Sequence, residues 1–376
     1  MANNKQIFST ITGDGQLELT IQNVAMPEPQ PHEVVVRMEA APINPSDMFP
    51  LFGMANVSAG ALEADGDGVK FVAPVPPEMM RAMKSRLDQT LPVGNEGAGT
   101  VVATGDSEEA RALDGKLVAM LPRAAYAQYV CVPAQMCLPH HDGTTALQAA
   151  SSFVNPLTAL GFLETMRLDG HTAIIHTAAA SNLGQMLVKL CRNENVPLVN
   201  IVRKSEQVDI LKALGAEHIV NSSENDFVEQ LVAAIDATGA TLAYDATGGG
   251  TLADTILGAM ERSLSKAASG LNTYGSDTFK QVYLYGGLDL TPTQLKRGYG
   301  MSWGIGGWLM PLLLARVGAE RAAEMRARVA EELTTTFASS YTAEISLTDA
   351  ISPDFIARYL PKKTGEKYII NPQKDA

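Results

Sequence analysis

Two hydrophobic periods, one of about two residues and one of 3.6, alternate along this chain, and the sharpest example lies at 172–220. Residues 172–176 are a short apolar run of the length and type of a strand buried in a parallel sheet. A turn of small residues, 177–182, follows. Leu183, Met186, Leu187, Leu190 and Cys191 then recur at helical spacing and give one apolar face. A second apolar run, 198–202, completes a strand–helix–strand unit. Such crossovers are right-handed, so the helix starts at the carboxyl end of the first strand. Its unpaired N–H groups and positive dipole end make that start an anion site. Small side chains in the turn let a pyrophosphate approach the backbone, which is the layout of a dinucleotide site. The usual three glycines are thinned to Gly184, preceded by Ala178, Ala180, Ser181 and Asn182, so a doubly wound domain without nucleotide remains the plain alternative on this stretch. The second strand runs into Arg203 and Lys204. An acidic residue there would hold the ribose 2′-hydroxyl of NAD, whereas a basic one accommodates a 2′-phosphate, so the reading is NADPH, against a merely solvated loop.

The pattern continues to either side. Phe227, Val228, Leu231, Val232 and Ile235 predict another amphipathic helix. Residues 241–245 predict a third strand with a loop at Gly248–Gly250, and 282–285 a further strand closed by Gly286 and Gly287. Segment 261–280 is polar in its middle and predicts a surface excursion. Residues 300–310, GMSWGIGGWLM, are apolar and carry both tryptophans. They read as an edge strand pairing with a second subunit, or as a buried loop within one. A charged amphipathic helix is predicted over 320–333, and the tail returns to strand at 368–370.

Residues 1 to about 150 have a different texture. Short runs at 17–21, 33–38, 99–103, 117–120 and 127–132, separated by Gly and Pro, imply a compact β barrel or sandwich. Two turns there carry unusual chemistry. One is proline-bracketed, Pro42 to Asp47, and holds Asn44, Ser46 and Asp47 together. The other, Gly94 to Gly99, is glycine-dense and runs directly into a strand. Between them 54–91 predicts a loop followed by a short helix at 76–87, forming a lid or rim. A helix beginning near 154 leads into the second domain.

Composition narrows the picture. The 376 residues suggest about two domains, and a formal charge of −12 argues against wrapping nucleic acid. No apolar run is long enough for a membrane span, and the first ten residues lack the apolar core of a secretion signal. Three cysteines, Cys131, Cys137 and Cys191, do not make a disulfide framework, so the expectation is a cytoplasmic protein with free thiols.

An ordered set of segments resembles the medium-chain dehydrogenase/reductase superfamily, in its zinc-free branch of quinone oxidoreductases and 2-enoyl thioester reductases. They are NPSD (44–47), GNEGAG (94–99), YAQYVCVP (126–133), VNPLTA (154–159), AAASNLGQ (178–185), LGAEHIVN (214–221) and YGG (285–287). The resemblance implies an α/β protein. A GroES-like barrel domain would be built from 1–153 and 338–376, beside a Rossmann domain, a doubly wound parallel sheet, at 154–337. In the zinc-dependent branch a cysteine and a histidine hold the catalytic metal where Asn44 and Asn95 stand here. Amides are poor zinc ligands beside thiolate and imidazole, so no metal is expected.

Without a Lewis acid, the reaction left is hydride delivery from NADPH to an acceptor that can carry the resulting charge on its own oxygen, a quinone or an α,β-unsaturated carbonyl. The resemblance puts Asn44 and Thr158 beside the nicotinamide as the catalytic pair. It places the rest of the cofactor on Ala178, Ala179, Ala180, Ser181, Asn182, Leu183, Gly184, Arg203, Lys204, Thr247, Gly248, Tyr285, Gly286 and Gly287. Asp47 reads as a turn or capping residue, and Tyr126 and Tyr129 as barrel packing. Many enoyl thioester reductases carry a tyrosine soon after NPSD. Here Phe49 and Phe52 follow, with no tyrosine before Tyr126, which favours quinone or enone reduction over the enoyl alternative. A non-catalytic NADPH-binding protein is the third reading. A homodimer through 300–310 is expected.

Overall fold

The computed structural model describes residues 3–66, 68–267 and 273–375. Contacts divide the chain into two units, 1–154 with 326–376, and 155–325.

The first unit is built on two sheets. A five-stranded sheet runs in the order Ala61–Asp65, Gly68–Pro74, Gln16–Ala25, Asn3–Ile11, Leu91–Pro92. A seven-stranded sheet runs Leu138–Pro139, Leu117–Met120, Gly97–Thr104, Glu33–Pro42, Tyr368–Ile370, Ala343–Ile345, with Tyr129–Pro133 pairing Glu33–Pro42 as well. Alternation explains the arrangement. Ile7, Ile11, Leu17, Leu19, Val34, Val36 and Met38 fall on inward-facing positions and enter one core with Phe71, Val101, Val118 and Tyr126. The strand Tyr368–Ile370 enters late in sequence, antiparallel to Glu33–Pro42 and parallel to Ala343–Ile345.

The stretch 54–91 corrects the expectation of a loop and lid. Ala61–Asp65 and Gly68–Pro74 form an antiparallel hairpin, and the second strand pairs with Gln16–Ala25. Phe71 and Ala73 are buried in the core of the unit, so the insertion widens the sheet. Asp67 lies outside the described residues. The helix expected at 76–87 shrinks to Pro77–Met80 and a 3-10 turn at Lys84–Arg86. Its interior is interrupted because Arg86 turns inward, donating to the Ser9 hydroxyl at 2.7 Å and the Phe49 carbonyl at 2.8 Å.

The second unit carries a six-stranded parallel sheet in the order His218–Asn221, Leu198–Val202, Ile174–His176, Leu242–Asp245, Lys280–Leu284, Trp303–Gly307. Numbered along the chain this is 3-2-1-4-5-6, the order of a doubly wound dinucleotide fold, with its switch point between Ile174–His176 and Leu242–Asp245. The helices Asn182–Asn193 and Phe227–Thr238 appear where their apolar periods predict them. Among the described residues Trp303–Gly307 is an edge strand, paired with Lys280–Leu284 alone.

Three local expectations change in this unit. Gly248–Gly250 is not a free loop: it pairs in parallel with Asp289–Thr293. The stretch 261–280 is not simply a surface excursion, because the helix Leu252–Ala267 extends into it and both ends are anchored. Lys280, whose side chain is fully buried, meets Glu261 at 2.8 Å. Residues 268–272 lie outside the described residues. The helix expected at 320–333 begins earlier, at Met310, and breaks at Gly318, which takes φ +83°. Among the described residues, no helix is long and apolar enough to cross a membrane.

Candidate functional site

Each unit carries a group of candidate residues. In the second, two turns of small residues sit at the carboxyl ends of Ile174–His176 and Leu242–Asp245. Ser181 caps the helix Asn182–Asn193, its hydroxyl accepting from the Gly184 N–H at 3.2 Å. The first turn of the helix is left with N–H groups that have no intrahelical partner. Ala178 occupies φ +50°, a conformation that suits glycine and costs other residues of order 1–3 kcal/mol. The thinned fingerprint is therefore accommodated at a cost. Gly184 keeps the glycine role that no other residue could take, since a Cβ there would lie 2.0 Å from the Ala179 carbonyl oxygen. Ala179 and Ala180 are buried beneath the turn, with Ala179 N–H donating to the Ile201 carbonyl. Leu183 faces the core, while Asn182 sits at the first helical position.

Across the switch point, Asp245 organises the facing turn. Its fully buried carboxylate accepts from the Thr177 hydroxyl at 2.7 Å, from Thr247 N–H at 2.8 Å and from Gly248 N–H at 3.2 Å. The Thr177 hydroxyl in turn accepts from Ala246 N–H. Gly286 approaches so closely that a Cβ would stand 2.6 Å from the Ala246 carbonyl oxygen, and Gly287 follows it, exposed. Thr177 and Asp245 are structural residues of the site that the apolar pattern did not single out. Their only signal was a polar residue directly after each buried strand run.

Aromatic side chains support this end of the sheet. Phe162 stacks on Tyr244 with ring centroids 3.8 Å apart, and Tyr285 and Trp308 meet Phe162 edge-on. Tyr285 lies just past Lys280–Leu284, and its hydroxyl pairs with His176 Nε2 at 2.7 Å. Burial pushes the His176 imidazole down to about 3, so it stays neutral, and burial together with Asp245 pushes the Tyr285 phenol up. Thr158 is buried in the helix Val154–Leu168. Arg203 and Lys204 are exposed, and both of their backbone N–H groups donate to Gln207 Oε1, which starts the helix Ser205–Ala213.

In the first unit the two unusual turns meet. Asn44 precedes the 3-10 turn Pro45–Asp47, and Asp47 is the capping residue its spacing predicts. The Asp47 carboxylate accepts from Asn44 N–H at 2.8 Å with one oxygen and from Asn95 N–H at 2.9 Å with the other, tying NPSD to GNEGAG. Tyr126 packs in the core and donates to the Pro42 carbonyl, while Tyr129 is half-buried on its strand. The Asn44 amide donates to Glu96 Oε1 at 2.8 Å, and Asn95 donates to the Ser46 hydroxyl. Glu96 went unassigned in the sequence, although a lone acid inside a glycine-dense turn was its signal. Lys367 also joins this group, donating to the Ser151 hydroxyl at 2.7 Å. Burial draws its ammonium down to about 8 against the opposing pull of Glu96 and Asp47. Among the described residues, no three His, Cys, Asp or Glu side chains gather to hold a metal ion. Cys131, Cys137 and Cys191 carry free thiols.

Burial raises the Asp47 carboxyl to about 7 against the two N–H groups that favour its ionised form. A carboxyl raised on folding contributes its full stability below its unfolded value, 3.8, and loses it as pH rises towards 7. Asp47→Asn removes that titration. The melting temperature of the variant, measured against the native chain, is expected to gain between about pH 4 and pH 7 and to run parallel above. A constant difference across the window would show that Asp47 does not titrate there.

Residues 183–287 match a family model described as zinc-binding dehydrogenase. The chain is 27% identical over 208 residues to the mitochondrial enoyl-acyl-carrier-protein reductase of Arabidopsis thaliana, a match covering 54% of this chain and 48% of that one. It is 30% identical over 166 residues to a protein of Schizosaccharomyces pombe named probable quinone oxidoreductase, covering 43% and 50%. The chain thus spans about half the length of these curated relatives. Among solved structures, a Mesorhizobium loti protein assigned as an NADPH:quinone reductase shares the fold with a TM-score of 0.73 at 24% identity, over 99% of each chain. A mycobacterial protein solved with NADPH does so at 0.66 and 19%, over 98% of this chain and 100% of that one. With the mostly antiparallel sheets of one unit and the 3-2-1-4-5-6 parallel sheet of the other, the chain shares the fold of these solved oxidoreductases, and its residues 183–287 are similar to the zinc-binding dehydrogenase family.

Proposed function

We propose that the chain is a zinc-independent, NADPH-dependent oxidoreductase that delivers hydride to a quinone or an α,β-unsaturated carbonyl. The observation that carries this reading is the switch point. There a capped helix start, the close approach at Gly184 and the Asp245-held turn leave small residues and backbone N–H groups where a dinucleotide would lie. The residues fit such a cofactor. Ala178, Ala179, Ala180, Ser181, Asn182, Leu183 and Gly184 would hold its pyrophosphate. Thr247, Gly248, Tyr285, Gly286 and Gly287 would line the facing side, and Arg203 and Lys204, exposed past the second strand, would meet a 2′-phosphate. Bound NADPH supplies the hydride. Asn44 and Thr158 would hold and orient its reactive end, and Asn44 and Asn95 offer amides where metal chemistry would require thiolate or imidazole.

The Arabidopsis relative favours a second reading, reduction of a 2-enoyl thioester. For the assembly we propose a homodimer through the outer edge of Trp303–Gly307, flanked by exposed Met301, Leu309 and Leu312. A cytoplasmic location accords with the free thiols.

The test is NADPH consumption by the purified protein across quinones, enones, enals and enoyl thioesters. Turnover of a quinone or enone is expected. No oxidation with any acceptor sinks the proposal, and turnover of an enoyl thioester well above any quinone establishes the second reading. In the same assay Arg203→Glu is expected to weaken NADPH about tenfold or more and to spare NADH, since charge-assisted phosphate contacts are worth roughly 1.5–3 kcal/mol. Equal loss for both cofactors would remove Arg203 from the phosphate site.

A further inference from the structure

An amide side chain offers a donor at one end and an acceptor at the other, and its neighbours decide which end a ligand meets. Asn44 is 1% exposed, and its Oδ1 has no hydrogen-bond partner among the described residues. A buried acceptor without a donor costs free energy unless something else supplies the proton. The backbone at Asn44 cannot shift to relieve it, because Asp47 holds its N–H. The side chain cannot turn over either. Its Nδ2 is engaged by Glu96 Oε1 at 2.8 Å, and Glu96 Oε2 is already committed to the N–H groups of Phe153 at 2.9 Å and Val154 at 2.8 Å. A carboxylate so placed only accepts, so the amide must give it the NH2 end.

Several groups around Glu96 favour its ionised form, the one that only accepts. Burial raises this carboxyl, and the Lys367 ammonium, the two backbone N–H groups and the Asn44 amide all oppose the rise. Lys367 is held by the Ser151 hydroxyl, which pairs with the Tyr341 hydroxyl at 2.8 Å, and it lies 5.4 Å from the centre of the Tyr341 ring.

We propose that Glu96 is a positioning residue that fixes the polarity of Asn44, so that Asn44 presents an acceptor to an O–H or N–H donor of the bound cofactor. It follows that Asn44 does not polarise the substrate carbonyl, because a quinone or enone oxygen is itself an acceptor. The inference rests on the proposed placement of Asn44 beside the cofactor and deepens it.

The experiment is a fluorescence titration of NADPH onto the full chain, without substrate, comparing the native protein with Asn44→Ala, Asn44→Asp, Glu96→Gln and the double variant Asn44→Asp/Glu96→Gln. Glu96→Gln keeps an oxygen for Phe153 and Val154 but turns an NH2 towards Asn44, which reverses the amide. Asn44→Asp sets two carboxylates against each other. Each is expected to weaken NADPH about tenfold or more. In the double variant the amide introduced at position 96 donates to the carboxylate introduced at position 44, whose second oxygen is again an acceptor, and affinity should return to within a few-fold of the native value. A purely structural role for Glu96 would not give that recovery. A double variant no tighter than its weaker parent overturns the inference, as does native affinity in Glu96→Gln while Asn44→Ala is weakened; in that case Asn44 stays at the cofactor. Native affinity in Asn44→Ala removes Asn44 from the cofactor and the inference with it. Should a single variant fail to fold, the double variant is judged against Asn44→Ala: tighter binding supports the inference and equal binding overturns it.

Discussion

Gly184→Ala, the addition of one methyl group, is expected to abolish measurable NADPH binding and to lower the melting temperature on the order of 10 °C. The new Cβ would stand 2.0 Å from the Ala179 carbonyl oxygen and 2.5 Å from its carbon. Both are backbone atoms of the buried turn between Ile174–His176 and the helix, so no side chain can rotate out of the way. The helix would have to lift from the strand it follows, at more than the roughly 1–3 kcal/mol of ordinary core overpacking. The same movement would carry the Ser181 cap and the first-turn N–H groups away from the switch point. Thermal melting and an NADPH titration on one preparation check both halves. Native behaviour in both would refute the close-approach account of this turn.

The second large effect is on stability. Lys280→Met is expected to cost about 3 kcal/mol, at the low end of what breaking a buried ion pair costs, because Glu261 retains other donors. Lys280 is fully buried and lies 2.8 Å from Glu261 Oε2, while Glu261 Oε1 accepts from Ser276 N–H at 2.8 Å and the Ser265 hydroxyl at 3.0 Å. Burial alone would raise the Glu261 carboxyl, but the Lys280 ammonium and these donors carry it below its ordinary 4.5. A carboxyl lowered on folding contributes stability above its unfolded value and loses it as pH falls through the folded one. The penalty of Lys280→Met should therefore be full at neutral pH and shrink below about pH 4.5. Replacing both partners by apolar residues should recover much of the loss, since two apolar groups leave no charge stranded. Denaturant melts of the single and double variants at two pH values decide it. A single variant as stable as the native chain would show that the pair contributes nothing.

The parallel sheet was the legible part of this molecule. Its inner strands are buried on both faces, so 198–202 and 242–245 read as apolar runs broken only by Asn200 and closed by Asp245, and the helix between 182 and 193 shows its apolar face at a clean 3.6 period. The hairpin at 61–74 was illegible for the opposite reason. Every residue of Ala61–Asp65 is exposed, so no apolar face marks it, and in Gly68–Pro74 only Phe71 and Ala73 are buried. That hairpin exists because Gln16–Ala25 offers it an edge, which local sequence does not record. The site divided in the same way. Gly184 and the NPSD and GNEGAG turns stood out through residue types that serve tight backbone geometry. Lys367, Ser151 and Tyr341 come together only through pairings between the two ends of the first unit, across roughly two hundred positions, and nothing near any of them announces the meeting.

The strand Tyr368–Ile370 has an implication for how the molecule is made. It lies between Glu33–Pro42 and Ala343–Ile345, whereas every strand of the parallel sheet falls within 174–307. During synthesis the ribosome therefore delivers all of the second unit while Glu33–Pro42, in the first, still lacks one of its pairing partners. The Rossmann half can complete itself on the nascent chain. Its companion must wait with an open seam, and in that interval chaperones and proteases have their best access to the protein.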